Sequence, residues 1–265
     1  MRAAAAILIL ASACRASSSP GPTAAVTGYC PSIGGAWPWR AELFPGCPIP
    51  SIVIDLPVCN GPCPRPCAGS GTGTTGPWSA TYAYDDAGHW IATTFPDNPA
   101  GFQCTWVGDR LDRCDLGPGS PVGAIRDPAG RLAGFDDTDL TLAVQWNDRG
   151  QVVAIYDRTF AYDDRGRLVS VRDGARDDTT TISYDGRGRI SGTHDRRFET
   201  TWRYDRAGRL ARVDRDRHGR RDGSTRRWTT LGYDAQGRIE TVDEGGSTGD
   251  RGSATTRYRY DCPAR

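Results

Sequence analysis

The chain has 265 residues, enough for one large domain or two small ones, and its 33 basic and 32 acidic side chains leave a net charge of +1, so no bulk field draws it to nucleic acid. Gly and Pro fill about a fifth of it, every basic residue is Arg, and all but four of the acids are Asp, a composition of strands and turns rather than a helical bundle. No apolar run reaches the ~20 residues of a membrane-spanning helix.

Met1-Arg2 is a short positive start, and the apolar run from Ala3 to Ala11 leads to small residues, so residues 1–13 are predicted to be a signal peptide. Ala11-Ser12-Ala13-Cys14 resembles the lipobox of bacterial lipoproteins, although Ala11 stands where that motif usually has Leu. The resemblance implies lipidation of Cys14 and an exported protein anchored at the bacterial outer membrane or cell surface. Ordinary signal peptidase would cut at the same bond and release a soluble periplasmic or secreted protein.

Eight cysteines remain: Cys30, Cys47, Cys59, Cys63, Cys67, Cys104, Cys114 and Cys262. An even number in an exported chain predicts disulfides, with the connectivity open except that Cys104 and Cys114 flank a segment short enough to fold back and pair them. Cys59, Cys63 and Cys67 recur every four residues, but Pro62, Pro64 and Pro66 interleave them and no His is near, so structural disulfides are preferred to a metal site. Residues 14–77 are read as a tether and a small Cys/Pro-rich module, with Gly69 to Gly76 as a Gly/Thr linker, and residues 78–265 as the β-region.

Within that region one unit recurs: an aromatic residue, Asp, two variable residues, Gly, a polar residue, and an aliphatic one. It is tight at Tyr162–Leu168, Tyr184–Ile190, Tyr204–Leu210 and Tyr233–Ile239, and looser at Tyr84–Trp90, Arg126–Leu132 and Trp146–Val152, with a truncated copy at Tyr260-Asp261. Asp at the first turn position can accept from backbone N–H groups, and Gly three residues on suits a type I turn with a G1 bulge. A second apolar residue often follows the aliphatic one by three, as in Leu168 and Val171 but not Ile190, which Thr193 follows, and this step breaks alternation and predicts a bulge.

These units resemble the YD repeat, also called the Rhs repeat. The resemblance implies an all-β fold, an antiparallel strip of hairpins joined edge to edge; the composition places the small N-terminal disulfide-rich, loop-rich module before it. In large Rhs and insecticidal toxin proteins the strip closes into a shell around a toxic C-terminal payload. Seven or eight units, the end at Arg265 and the lack of the family's self-cleavage region argue against carrying that role over, and the expectation is a short curved strip.

No catalytic residue, cofactor or metal site is expected. His89 occupies a turn position where other units have Arg, and neither a Gly-x-Ser-x-Gly elbow nor a two-His helix motif occurs. Asp214, Asp216 and Asp222 invite a calcium-loop reading, but four arginines lie among them, so a solvated hairpin tip is preferred. Asp136, Asp137 and Asp139 read as an exposed acidic turn. Arg and Tyr together suggest nucleic-acid stacking, yet alternating Asp should cancel most of the field through 157–217. A net basic stretch remains between Arg217 and Arg227, with Arg220, Arg221, Arg226 and Arg227 as candidate contacts to a polyanion. The expected role is a non-enzymatic scaffold or surface-interaction module, held to the membrane by lipid and touching envelope polysaccharide or another surface protein rather than nucleic acid. An accessory or remnant of an Rhs-type toxin system is the first alternative, and a hydrolase with scattered carboxylates the second.

Overall fold

The alternation of short extended runs with Asp/Gly turns produces hairpins, and in the computed structural model these fill almost the whole described chain, residues 39–44, 67–73, 76–87, 89–115, 121–137, 140–217, 226–246 and 253–260. One helical turn, α1 (Arg40–Leu43), precedes the strands. They are β1 (Ala68–Gly73), β2 (Gly76–Tyr84), β3 (Trp90–Phe95), β4 (Asn98–Val107), β5 (Arg110–Asp115), β6 (Pro121–Arg126), β7 (Leu132–Asp137), β8 (Leu140–Trp146) and β9 (Val152–Ile155). There follow β10 (Arg158–Tyr162), β11 (Leu168–Asp173), β12 (Asp178–Tyr184), β13 (Ile190–His194), β14 (Phe198–Tyr204), β15 (Leu210–Arg217), β16 (Arg227–Tyr233), β17 (Ile239–Gly246) and β18 (Ala254–Arg259).

Each strand pairs antiparallel with the next in sequence. The last, β18, pairs antiparallel with β1. The sheet is therefore a closed up-and-down barrel of 18 strands, not the open strip the sequence predicts. Closure is favoured because an open strip leaves two rows of unpaired backbone groups, and a barrel leaves none.

The closing strand lies in the segment expected to be a linker. Gly is a poor strand former, so local propensity hides β1. Its glycines are required by what crosses them: a Cβ on Gly69 would sit 2.9 Å from the Tyr82 hydroxyl, and one on Gly71 would strike the Thr255 carbonyl. The rings of β2 thus lie across a strand that has almost no side chains.

Side chains alternate between the faces. On β14, Phe198, Thr200, Trp202 and Tyr204 turn inward, whereas Glu199, Thr201 and Arg203 are exposed. The aliphatic residues that end each turn unit, from Leu132 through Val152, Ile190 and Leu210 to Ile239, are almost wholly buried, and with the other inward residues they make one continuous apolar cluster. Trp39, Leu43 and Phe44 complete it: the Trp39 indole donates to the Leu111 carbonyl at 2.9 Å and its ring lies 5.0 Å from Phe135, while Phe44 lies 5.1 Å from Phe160. The described part of the predicted N-terminal module thus belongs to the barrel. Cys104 and Cys114 are opposite residues of β4 and β5 and are disulfide-bonded, as expected from their spacing. Cys67 is also disulfide-bonded. Cys14, Cys30, Cys47, Cys59, Cys63 and Cys262 lie outside the described residues.

Candidate functional site

The turn unit shows what its Asp and Gly are for. In the Tyr162 copy the Gly166 amide donates to the Asp163 carbonyl at 2.9 Å and the Asp163 amide to the Arg167 carbonyl at 2.9 Å, the pattern of a type I turn closed by a G1 bulge. Gly166 has φ of 78°, and Gly188, Gly208 and Gly237 have 78°, 82° and 78°, as the sequence predicts. Asp163 Oδ1 accepts from the amides of Arg165 and Arg167, and Oδ2 from the Arg167 guanidinium at 2.7 Å. The expected bulge is present: Ala161 pairs with Ser170 but Tyr162 with Leu168, so one residue is extra and both Leu168 and Val171 turn toward the core.

Successive units are tied together through their first residue. The hydroxyls of Tyr162, Tyr184, Tyr204, Tyr233 and Tyr260 donate at 2.7–2.9 Å to the carbonyls of Val152, Leu168, Ile190, Leu210 and Ile239, each the last residue of the preceding unit. Above four of these rings lies the preceding unit's arginine, Arg167, Arg189, Arg209 or Arg238, 4.1–4.4 Å from the centroid of Tyr184, Tyr204, Tyr233 or Tyr260. Burial pushes the phenols up, Tyr184 to about 12. The Asp163 carboxyl is held down by hydrogen bonds from Arg167. For Asp185, Asp205 and Asp234 burial pulls upward, but hydrogen bonds from Arg189, Arg209 and Arg238 outweigh it.

Three units depart from the pattern and keep the tie. Trp146 donates to Leu132 O through its indole nitrogen. Trp106 does the same to Trp90 O at 2.8 Å, and marks a ninth unit, Trp106–Leu111, that the sequence reading passes over. His89, in the arginine position, hydrogen-bonds Asp85 at 2.9 Å and stacks on Trp106 at 4.4 Å. Arg126 replaces the aromatic residue altogether. Its Nη2 donates to Leu111 O at 2.9 Å, and its Nη1 forms an ion pair with Glu42 of α1. The irregular copy is the one that receives the N-terminal segment.

On the outer wall, Asp214 is the centre of an arginine cluster. It is 2% exposed and lies 2.9 Å from Arg212, 3.4 Å from Arg226 and 3.8 Å from Arg203. The Arg212 hydrogen bond, with the charges of all three arginines, holds its carboxyl low against the opposing effect of burial. Arg212 also stands 5.2 Å over the Trp228 ring. Asp216 lies 3.5 Å from Arg226. The carboxylates of the calcium-loop reading that are described, Asp214 and Asp216, therefore face guanidinium groups on a strand. Among the described residues no group of three or more His, Cys, Asp or Glu could hold a metal ion.

The four candidate polyanion contacts do not form one described patch. Arg226 joins the outer cluster, whereas Arg227 stands opposite Arg215 on the alternate face, and Arg220 and Arg221 lie outside the described residues. Near Arg227 on the inner face is Glu244, a group the sequence reading did not single out. Burial pushes its carboxyl up to about 7 against a Thr229 hydrogen bond and the Arg227 charge, and its Oε1 is buried with no hydrogen-bond partner among the described residues.

No protein-family model matches the chain, and no curated protein matches it. Solved structures give likenesses of fold. A Tc holotoxin pore of Photorhabdus luminescens is 13% identical, over 67% of this chain and 9% of that one, with a TM-score of 0.33. A TcdB2-TccC3 structure is likewise 13% identical, over 69% of this chain and 15% of that one, at 0.33. A porin-like protein from Bacteroides vulgatus is 9% identical, over 76% of this chain and all of that one, at 0.41. The chain thus spans only a small fraction of the toxin structures' length, and likenesses of this size assign it to no family.

Proposed function

We propose that the chain is a non-catalytic interaction module of the cell envelope, tethered by lipid on Cys14 and contacting envelope polymers with its outer wall. The observation that carries this reading is the polarity of the two faces. Apolar residues turn into the barrel, while exposed positions carry Ser79 and Thr81 on β2, Thr179, Thr181 and Ser183 on β12, and Glu199, Thr201 and Arg203 on β14. A membrane barrel presents an apolar band outward and a polar lumen. This wall is the reverse, so attachment to a membrane falls to the lipobox-like Ala11-Ser12-Ala13-Cys14, and the wall is left for recognition in water. The perturbed groups of the four tight units support a structural use, since each turn carboxylate is held by its own arginine and the phenols of Tyr162, Tyr184, Tyr204, Tyr233 and Tyr260 each donate to the preceding unit.

The test is fractionation of cells making the wild-type protein and Cys14→Ser, with metabolic labelling by a fatty acid. Label and membrane retention are expected for the wild type only. The Cys14→Ser protein should be soluble, barrel-folded by circular dichroism, and still bind isolated envelopes. Equal labelling and retention, with the N-terminus shown to be processed, would remove the anchor, and loss of all envelope binding would remove the interaction role.

A further inference from the structure

We propose that the groove over the barrel seam binds an acidic saccharide, through two side-by-side arginines of β18. The proposal rests on the interaction reading above and gives it a site. Four strands, β18, β1, β2 and β3, make the seam, and their registers fix which residues share a level. Arg257 lies opposite Ser70, and Ser70 opposite Ser79. Arg259 lies opposite Ala68, Ala68 opposite Thr81, and Thr81 opposite Thr94. Because β1 contributes only the small side chains of Ala68, Ser70 and Thr72 to the outer face, the middle of this band is low. Arginines rise on one side, and Thr94, Phe95 and Pro96 on the other. The result is a groove of about 550 Å³, in the size range of small-ligand sites.

The lining chemistry selects the ligand. Arg257 and Arg259 are two residues apart on one strand face, so their guanidinium groups stand roughly 7 Å apart at their bases. Neither has an ion-pair partner among the described residues, in contrast to Arg167, Arg189, Arg209 and Arg238, each of which holds an aspartate. Asp243 on the adjoining strand is engaged by the Thr255 hydroxyl at 2.7 Å. Planar guanidinium donors match the paired oxygens of a carboxylate, sulfate or phosphate. Ser70, Ser79, Thr81 and Thr94 line the floor and far slope with hydroxyls that both donate and accept, Thr81 and Thr94 sharing a hydrogen bond at 2.6 Å. Phe95, set edge-on against Phe102 at 5.6 Å, gives the far wall an apolar surface. A sugar ring bearing an oxyanion uses all three features, whereas a neutral sugar leaves the two arginines unmatched and a bare anion leaves the hydroxyls and the ring unused.

The test uses the full-length Cys14→Ser protein and three immobilised polymers: polygalacturonate as a carboxylate, heparin as a sulfate, and neutral dextran. Binding to at least one acidic polymer and not to dextran is expected, weakened about tenfold or more in Arg257→Ser/Arg259→Ser, since each lost contact is a hydrogen bond to a charged group. Ser70→Trp, which fills the groove and keeps both arginines, should weaken it as well. If the double variant melts early, Ser70→Trp alone decides. Equal binding by the variants and the parent, binding to dextran alone, or arginine-dependent binding of single-stranded DNA in place of the polysaccharides would overturn the proposal. Isolated envelopes separate the two levels: envelope binding that persists in variants with unchanged polymer binding rejects the groove and spares the interaction role, and envelope binding absent even from the parent rejects both.

Discussion

The Tyr184 hydroxyl donates to the Leu168 carbonyl at 2.7 Å, reaching from the first residue of one turn unit to the last residue of the unit before it. The contact joins neighbouring hairpins side by side at the turn end of the wall, beyond what the strand ladders supply. With Arg167 over the same ring, it makes each unit's aromatic residue the clasp for its predecessor.

A clasp made by a neutral phenol fails in alkali. Burial raises these tyrosines above their ordinary 10.0, Tyr184 to about 12. A raised folded-state value means that the stabilisation is complete below pH 10 and is lost as pH climbs from there through the folded value. Thermal midpoints recorded from pH 8 to 12 should hold up to about pH 10 and then fall steeply, because burial raises all five clasp phenols and each begins to lose its stabilisation above the ordinary value. Tyr184→Phe should cost about 1 kcal/mol at pH 8, the net worth of one hydrogen bond, and shrink the alkaline loss. A flat profile through pH 12 would show that the phenols are not held as described.

Gly208 has φ of 82° and open space around the place a Cβ would occupy, with Arg189 Nη1 the nearest atom at 3.8 Å. Substitution there is penalised by backbone conformation, not by crowding. Urea unfolding should therefore find Gly208→Val destabilised by more than ~1 kcal/mol and Gly208→Asn by clearly less, since Asn tolerates the left-handed region and a β-branched residue does not. Equal costs for Val and Asn would point to packing instead.

Arg126 and Glu42 are each 18% exposed, which makes their ion pair partly buried. Arg126→Leu strands the Glu42 carboxylate, while the Leu111 carbonyl keeps the Trp39 indole, and the expected loss is about 2 kcal/mol in chemical denaturation. Glu42→Gln in that background should recover part of it. A purely additive double-mutant cycle would mean that the two residues do not sense each other.

Glu244 titrates with the opposite sign from the turn aspartates. Its folded value near 7 lies above the ordinary 4.5, so the fold favours the neutral acid: there is no penalty below pH 4.5, a growing one up to pH 7, and a constant one beyond. Glu244→Gln should leave the melting temperature near pH 4 unchanged and stabilise the protein at pH 8 by about 1–2 kcal/mol, after allowing for partial exposure. A Gln variant less stable than the parent at pH 8 would show that the charged form has a partner.

The turns were legible because Asp and Gly do local work: Asp163 caps its own turn and Gly166 supplies the left-handed residue, and both positions repeat at fixed spacing. The Trp106–Leu111 unit escaped because its turn is one residue shorter, with Gly108 and Asp109 alone between paired Val107 and Arg110. The interval from Tyr84 to Arg126, about twice the others, was the available signal. Closure was not legible. It depends on Ala68 meeting Arg259 across nearly the whole chain, and the strand that makes it is written in glycines whose reason is the rings of Trp78 and Tyr82 on a neighbour. Arg126 looked like a degraded copy for a similar cause, since its partner Glu42 lies far back in sequence. The seam groove inherits the same obscurity: four strands from both ends of the chain line it.

Joining the first strand to the last also fixes an order of events at the ribosome. Every hairpin from β2 to β17 can form with neighbours already synthesised, whereas β1 keeps one bare edge until β18 arrives. Cys67 and Arg259, whose backbones meet at the seam, are 192 residues apart. At 5–20 residues per second that interval lasts on the order of ten to forty seconds, during which the nascent sheet is open on one side. A strand of glycines and small polar residues is a poor template for a foreign chain during such a wait, because it offers backbone groups with little apolar surface to hold an intruder.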